Sequence, residues 1–179
     1  RTFDNSAAGY SRGEGCGAQV FERRGSSKRA PLAELRGSAL NQDGRSANLT
    51  SPNGPSQEAV VLTALAEARV QPHLHDFVET HGTGTELGDP IEVGALQKVL
   101  GGETRLMPAI LGAVKTNIGH LEGGAGIAGL SKLLAVIGHS CAFPNLHLRD
   151  LNKHIFADVV DFAVHFPGEA ARLLAGDFA

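Results

Sequence analysis

Residues 76–100, DFVETHGTGTELGDPIEVGALQKVL, and residues 108–138, PAILGAVKTNIGHLEGGAGIAGLSKLLAVIG, decide the fold, because each runs from a short apolar segment through a glycine-rich break into a helical pattern. In the first, DFVETH predicts a short buried strand, and HGTGTELGDP places three glycines in seven residues, too many for regular structure. Asp89, Pro90 and Glu92 then have the form of a helix start: a capping carboxylate, a proline in the first turn and a glutamate three residues past the cap. That helix should end near Leu100. In the second stretch PAILGAV predicts a strand, KTNIGHLEGG a loop, and AGIAGLSKLLAVIG a buried, almost wholly apolar helix whose Gly126, Ala128 and Gly129 would let another element approach its backbone. Two strand–loop–helix units in succession indicate an α/β layered fold.

Outward from these units the signals weaken. The stretch QEAVVLTALAEARV predicts a helix over 56–69 that stops before Pro72, and FAVHF one more strand near 162–166. Alternation over 17–22 and 32–37 predicts two further strands, with Cys16 at the start of the first. NQDGRSANLTSPNGPS, 41–56, is dense in turn formers and reads as a long loop, while the tail GEAARLLAGDFA has the pattern of a helix cut short.

Composition excludes several classes. A chain of 179 residues buries roughly 70% of the surface its unfolded form exposes. With 42% apolar and 20% charged residues it is globular rather than disordered. No apolar run reaches the roughly 20 residues that span a bilayer, and the opening RTFDNSAAGYSRGEG lacks the blocks of a signal peptide. No membrane association is expected, and the compartment should be cytoplasmic, a plastid stroma being the other option. A net charge of -3, with basic clusters only at Arg23–Arg24 and Lys28–Arg29 and no aromatics among them, argues against a nucleic-acid partner. Cys16 and Cys141 match neither a disulfide framework nor a zinc site and read as free thiols.

Chemistry concentrates where glycine does, between 82 and 129. His81 follows one strand directly; Lys115 and His120 lie in the loop after the other. In open α/β sheets ligands bind beyond the carboxyl ends of strands, so both loops should face one pocket. Two imidazoles and an ammonium donate hydrogen bonds to a developing oxyanion, and a nearby cation keeps a histidine neutral, an arrangement suited to enolate chemistry. Other readings are poorer. GTGTELG misses the dinucleotide fingerprint by one residue and lacks a suitably placed acid, and Glu79, His81, His120 and Glu122 have no compact metal-ligand spacing. A cysteine hydrolase would need Cys16 or Cys141 to open a helix, which neither does.

Phe3–Asp4, Gly9–Tyr10, Arg12-Gly13-Glu14-Gly15, the loop NQDGRSANLTSPNGPSQ, the run VETHGTGTELGDPIEVGAL and the run AVKTNIGHLEGGAGIAGLSKLL together resemble the β-ketoacyl synthase (ketosynthase) domain of modular polyketide synthases, over residues 1 to about 155. The resemblance implies a thiolase-like αβαβα sandwich, here partial and mainly its C-terminal half, with 1–33 closing the N-terminal half, 34–166 forming the C-terminal half and 167–179 a truncated tail. It implies decarboxylative Claisen condensation between an acyl-enzyme thioester and a malonyl-type unit on acyl carrier protein, in a homodimer flanked by adjoining synthase domains. His81 and His120 match the histidines that support decarboxylation, Lys115 the lysine that orders the site, and Glu122 the glutamate that partners it. Thr83 and Thr85 fall where the phosphopantetheine arm would be contacted, and Asn117 is a further substrate-binding candidate. No cofactor is implied beyond that arm, which belongs to the carrier, and no metal. The family's nucleophilic cysteine lies in a turn upstream of the Phe-Asp segment, so neither Cys16 nor Cys141 matches it, and this chain alone should be inactive. Ala8 and LNKHI depart from the family's usual residues at two turns. The alternatives are a non-elongating or chain-length homologue acting as a binding module, and a cysteine-dependent thioester hydrolase.

Overall fold

The structure, a computed structural model, describes residues 1–26, 28–46, 51–102, 107–159 and 162–173. Its centre is a three-stranded parallel sheet of β1 (Phe77–Glu79), β2 (Ala109–Gly112) and β4 (Val164–His165), with β2 in the middle. Phe77 lies opposite Ile110, Val78 opposite Leu111 and Glu79 opposite Gly112. Parallel neighbours need a crossover. Helix α2 (Gly88–Leu100) provides it between β1 and β2, and α1 (Gly54–Ala68) packs on α2. Beyond β2 come a single turn, α3 (Lys115–Ile118), a 3-10 turn (Glu122–Gly124), α4 (Ala125–His139), β3 (Cys141–Ala142) and α5 (Lys153–Asp158), which also lies on α2. The α/β expectation holds.

The core follows from which faces are apolar. Val93, Leu96, Val99 and Leu100 of α2 meet Ala109 and Leu111 of β2, Leu65 of α1, Ile155 of α5 and Phe3. The start of the chain is drawn into this core: Asp4 accepts hydrogen bonds from the Arg149 and Asp150 amides at 2.8 and 3.2 Å, and the Asn152 amide donates to the Phe3 carbonyl at 2.8 Å.

Helix α1 begins where the long loop was expected to continue, because the Asn53 side chain accepts from the Ser56 amide at 3.1 Å and Pro55 suits the first turn. Its far end closes on Arg69 in the left-handed region, φ 55°, before Pro72. Residues 41–46 and 51–53 are irregular, as expected of that loop, and 47–50 lie outside the described residues.

Several expectations fail. Segments 17–22 and 32–37 form no strand, and Val20, Phe21, Leu32 and Leu35 stand exposed; alternation describes a face, but a strand also needs a neighbour to pair with. Cys16 is therefore in irregular, exposed chain. The segment expected to be a loop, KTNIGHLEGG, folds into α3 and the 3-10 turn, held by 113–119 backbone bonds such as Ile118 amide to Val114 carbonyl. In the tail, residues 171–172 are not helical but form β5, antiparallel to β3, because the free edge of Cys141–Ala142 offers unpaired backbone; 174–179 lie outside the described residues. Of α4 only Ala125, Lys132 and Val136 are buried, so it packs by one side; Gly129 does approach a neighbour, the Glu79 side chain, while among the described residues nothing would lie within 4 Å of a Cβ at Gly126.

Since Leu111 is fully buried in the central strand, Leu111→Ala should destabilise the fold by about 2–5 kcal/mol, visible as a lower urea midpoint at unchanged slope.

Candidate active site

Strands β1 and β2 end level with each other, at Glu79 and Gly112, so the segments leaving them begin side by side. His81 stands two residues past β1 and Lys115 opens α3 past β2. The Lys115 ammonium donates to the His81 carbonyl and lies 3.5 Å from His81 Nδ1. His120 arrives after Gly119 turns the chain at φ 78°, and its ring centroid is 5.6 Å from that of His81 at an interplanar angle of 84°. The three residues therefore converge as the strand-end argument requires. Beside them opens a cleft of about 310 Å³, bordered by Thr80, His81, Lys115, Gly129, Leu130 and Leu133. A separate cleft of about 230 Å³ lies among Arg1, Asp4, His147 and Arg149 and contains none of the three.

The hydrogen bonds assign the tautomers. His120 Nδ1 accepts from the Glu122 amide at 2.9 Å, and His81 Nδ1 faces an ammonium that can only donate. The Glu122 amide thus places the His120 proton on Nε2, and the ammonium beside His81 Nδ1 favours the same tautomer there. Partial burial holds His81 below the ordinary imidazole range, reinforced by the Lys115 charge and then by His120. His120 is lowered by burial and Lys115, with Glu122 opposing. Burial also lowers Lys115, against the pull of the Glu92, Glu79 and Asp89 carboxylates. Neutral donors beside one cation suit stabilisation of an oxyanion.

The loop between His81 and α2 is pinned by the two acids expected to cap that helix. Asp89 is not the cap: α2 starts at Gly88, and the buried Asp89 carboxylate accepts from the Phe3 amide at 2.7 Å and the Gly84 amide at 2.9 Å. Glu92 reaches back to the His81 and Gly82 amides, at 2.6 and 2.8 Å. The reason is that a glycine loop folded over a helix start presents unpaired N–H groups in the direction in which acids there point. Gly82 is required by both conformation and space, with φ 49° and an added Cβ only 2.6 Å from Ala113 Cβ.

The remaining expected residues are placed as follows. Glu122 does not reach Lys115; its carboxylate pairs with Arg12 at 3.3 Å, because a positive φ of 50° turns it outward, and its backbone amide is what serves the site. Thr85 accepts from the Gly88 amide at 3.0 Å, Thr83 is half-buried, and Asn117 donates to the Pro144 carbonyl at 3.3 Å. Neither cysteine borders the cleft. Sequence reasoning missed Tyr10, whose ring lies 4.6 Å from that of His120, and the buried pair Glu79–Lys132 at 2.9 Å. A lysine inside an almost wholly apolar helix was the available signal for that pair.

The sequence profile of the β-ketoacyl synthase C-terminal domain matches residues 32–149, more than half of the chain. The chain belongs to the β-ketoacyl synthase family. Among curated relatives of this ketosynthase chain, a phenolphthiocerol/phthiocerol polyketide synthase of Mycobacterium tuberculosis is 45% identical over 98% of the chain, and erythronolide synthase EryA2 of Saccharopolyspora erythraea 48% identical over 87%. The chain spans only 10% and 4% of their lengths. Among solved structures, an oxazolomycin ketosynthase domain of Streptomyces albus superposes with TM-score 0.90 at 32% identity, covering 97% of the chain and 31% of that domain. The module 6 ketosynthase of bacillaene synthase from Bacillus subtilis gives 0.88 at 32%, covering 98% and 32%. The thiolase-like α/β reading therefore stands for the part of the fold that the chain spans.

Burial raises the Glu92 carboxyl to about 7, against its two amide bonds, with Asp89 adding to the rise. Between its ordinary 4.5 and about 7 the folded chain holds a proton that the unfolded chain has released, so this group's contribution to stability falls as pH rises through that window. Glu92→Gln removes the titration and should flatten that part of the stability–pH profile measured by urea unfolding.

Proposed function

We propose that the protein carrying this chain is a polyketide synthase ketosynthase that performs decarboxylative condensation. The observation that carries the reading is the pair of imidazoles 5.6 Å apart, both engaged at Nδ1 and both with Nε2–H free, beside the Lys115 ammonium. The substrates are an acyl group held as a thioester on a cysteine outside residues 1–179, and a malonyl-type unit on the phosphopantetheine of acyl carrier protein. The bond from the α-carbon to the carboxylate breaks, carbon dioxide leaves, and the electron pair moves onto the thioester oxygen. His81 and His120 donate to that oxygen from Nε2. The α-carbon then attacks the acyl thioester, the new carbon–carbon bond forms, and the cysteine thiolate departs with the electron pair.

Lys115 keeps both histidines neutral and ties down the His81 carbonyl. Glu122 acts through its amide, which orients His120. Thr83, Thr85 and Asn117 contribute to the channel for the carrier's arm, Thr85 and Asn117 by holding its walls. Polyketide rather than fatty acid assembly is supported by the polyketide synthases among the relatives; a cytoplasmic setting, a homodimer, adjoining synthase domains and a division of the chain near residue 34 belong to the same proposal. Among the described residues no helix is long and apolar enough to cross a membrane.

In the complete enzyme, His120→Ala should lower carbon dioxide release from the malonyl thioester roughly a hundred- to thousandfold while acyl loading changes far less, because only the first step builds charge on an oxygen. Lys115→Ala should weaken both steps. Normal decarboxylation with poor loading in the His120 variant would refute the role given to it. Residues 1–179 expressed alone should neither acylate nor condense; rapid stoichiometric labelling of Cys16 or Cys141 by an acyl thioester, followed by mass spectrometry, would count against the proposal and for a hydrolase.

A further inference from the structure

Glu79 and Lys132 are 4% and 5% exposed, with Glu79 Oε2 and Lys132 Nζ 2.9 Å apart. Neither atom makes an aligned hydrogen bond, and the other support for the ammonium among the described residues is the Phe77 ring, 5.7 Å from Nζ. Burying two charges on these terms costs more than their attraction returns, and an apolar pair of similar size would serve the fold at least as well. Stability therefore does not explain the pair. Space has nonetheless been cleared for it. A Cβ at Gly112 would come 2.9 Å from Lys132 Nζ, and one at Gly129 would come 3.3 Å from Glu79 Cγ.

The connections of Glu79 show what the pair does. Its Oε1 accepts from the Val114 amide, the residue immediately before Lys115, at 2.5 Å. Its Oε2 faces α4, the helix that follows the His120 loop, and its own strand leads into His81. One carboxylate thus sits on the strand that leads into His81, bonds the turn that presents Lys115 and pairs with the helix that follows the His120 loop. It also borders the cleft.

We propose that the Glu79–Lys132 pair is a positioning device for Lys115, fixing the turn that carries this lysine to the end of β1 while Lys132 offsets part of the negative charge that Glu79 presents to it. The proposal rests on the reading of Lys115 as a functional residue, but its geometry does not. The charged and titratable groups around Lys115 are Glu79 on β1, His81 after it, Asp89 and Glu92 on α2, His120 before α4, and Lys132 on α4 behind Glu79. Glu79 joins Glu92 and Asp89 in opposing the loss of the Lys115 proton that burial favours; Lys132 tempers the share of Glu79.

The test uses the full-length protein and a readout independent of catalysis: trace labelling with acetic anhydride from pH 6 to 11, with Lys115 acetylation followed by mass spectrometry. Glu79→Gln keeps an oxygen for the Val114 amide but loses the charge, and should lower the labelling midpoint of Lys115 by about one pH unit. Lys132→Met should raise it by a similar amount, and the double variant should return near the parent value. A pair that only supports the fold would, when broken from either side, expose Lys115 and raise the midpoint in both single variants. That result, or no shift in either, overturns the proposal. Should Lys132→Met fail to fold, Glu79→Gln against the double variant decides: a midpoint that falls and then recovers supports the device, and one that does not fall sinks it. Carbon dioxide release by the unsubstituted protein tests the ketosynthase reading separately, so the failure of one is not mistaken for the failure of the other.

Discussion

Everything at the site depends on the parallel register of β1 and β2. With Val78 opposite Leu111, the two strands end at the same height, and the residues just beyond them must share one space. A slip of one residue would exchange the two faces of a strand, sending Leu111 out of the core and Glu79 away from Lys132. The register is therefore set by burial on one side and charge pairing on the other. Because α2 crosses between the strands, its acids at 89 and 92 are carried to the underside of the glycine loop. The helix start, the loop and His81 are one hydrogen-bonded unit.

That unit explains what was legible in the sequence. The strand–loop–helix doubling is written in apolar periodicity, a local property, and it placed β1, β2, α2 and α4 within a few residues. The convergence of His81, Lys115 and His120 followed from a rule about strand ends. What local pattern does not encode is the partner. Asp89 and Glu92 have the form of capping residues whichever N–H groups they meet, and only the folded loop shows that those of residues 81, 82 and 84 are nearer. Glu122 is the same case: its type and spacing suited Lys115, but the backbone at φ 50° aims it at Arg12.

The failed strands at 17–22 and 32–37 carry a different lesson. Their alternation is present, yet Val20 is 89% and Leu32 82% exposed. Alternation records a surface meant to be covered, and the solved ketosynthases that share this fold are about three times as long as the part matched here. The one-sided burial of α4 belongs to the same account, since an apolar helix face is stabilised by whatever lies across it.

The stitching of Phe3 and Asp4 to residues 149–152 bears on biosynthesis. These contacts join positions 145 or more residues apart. A ribosome adding about 5–20 residues each second needs on the order of ten seconds or more to deliver the second half of each bond after the first has emerged. Throughout that interval Phe3 lacks the Asn152 amide and Asp4 lacks the Arg149 and Asp150 amides, Ser6 being the partner already at hand. The bonds from residues 149–152 to Phe3 and Asp4 therefore form only after β1, β2 and the glycine loops beyond them have been synthesised, whereas the Phe3 amide can meet Asp89 earlier.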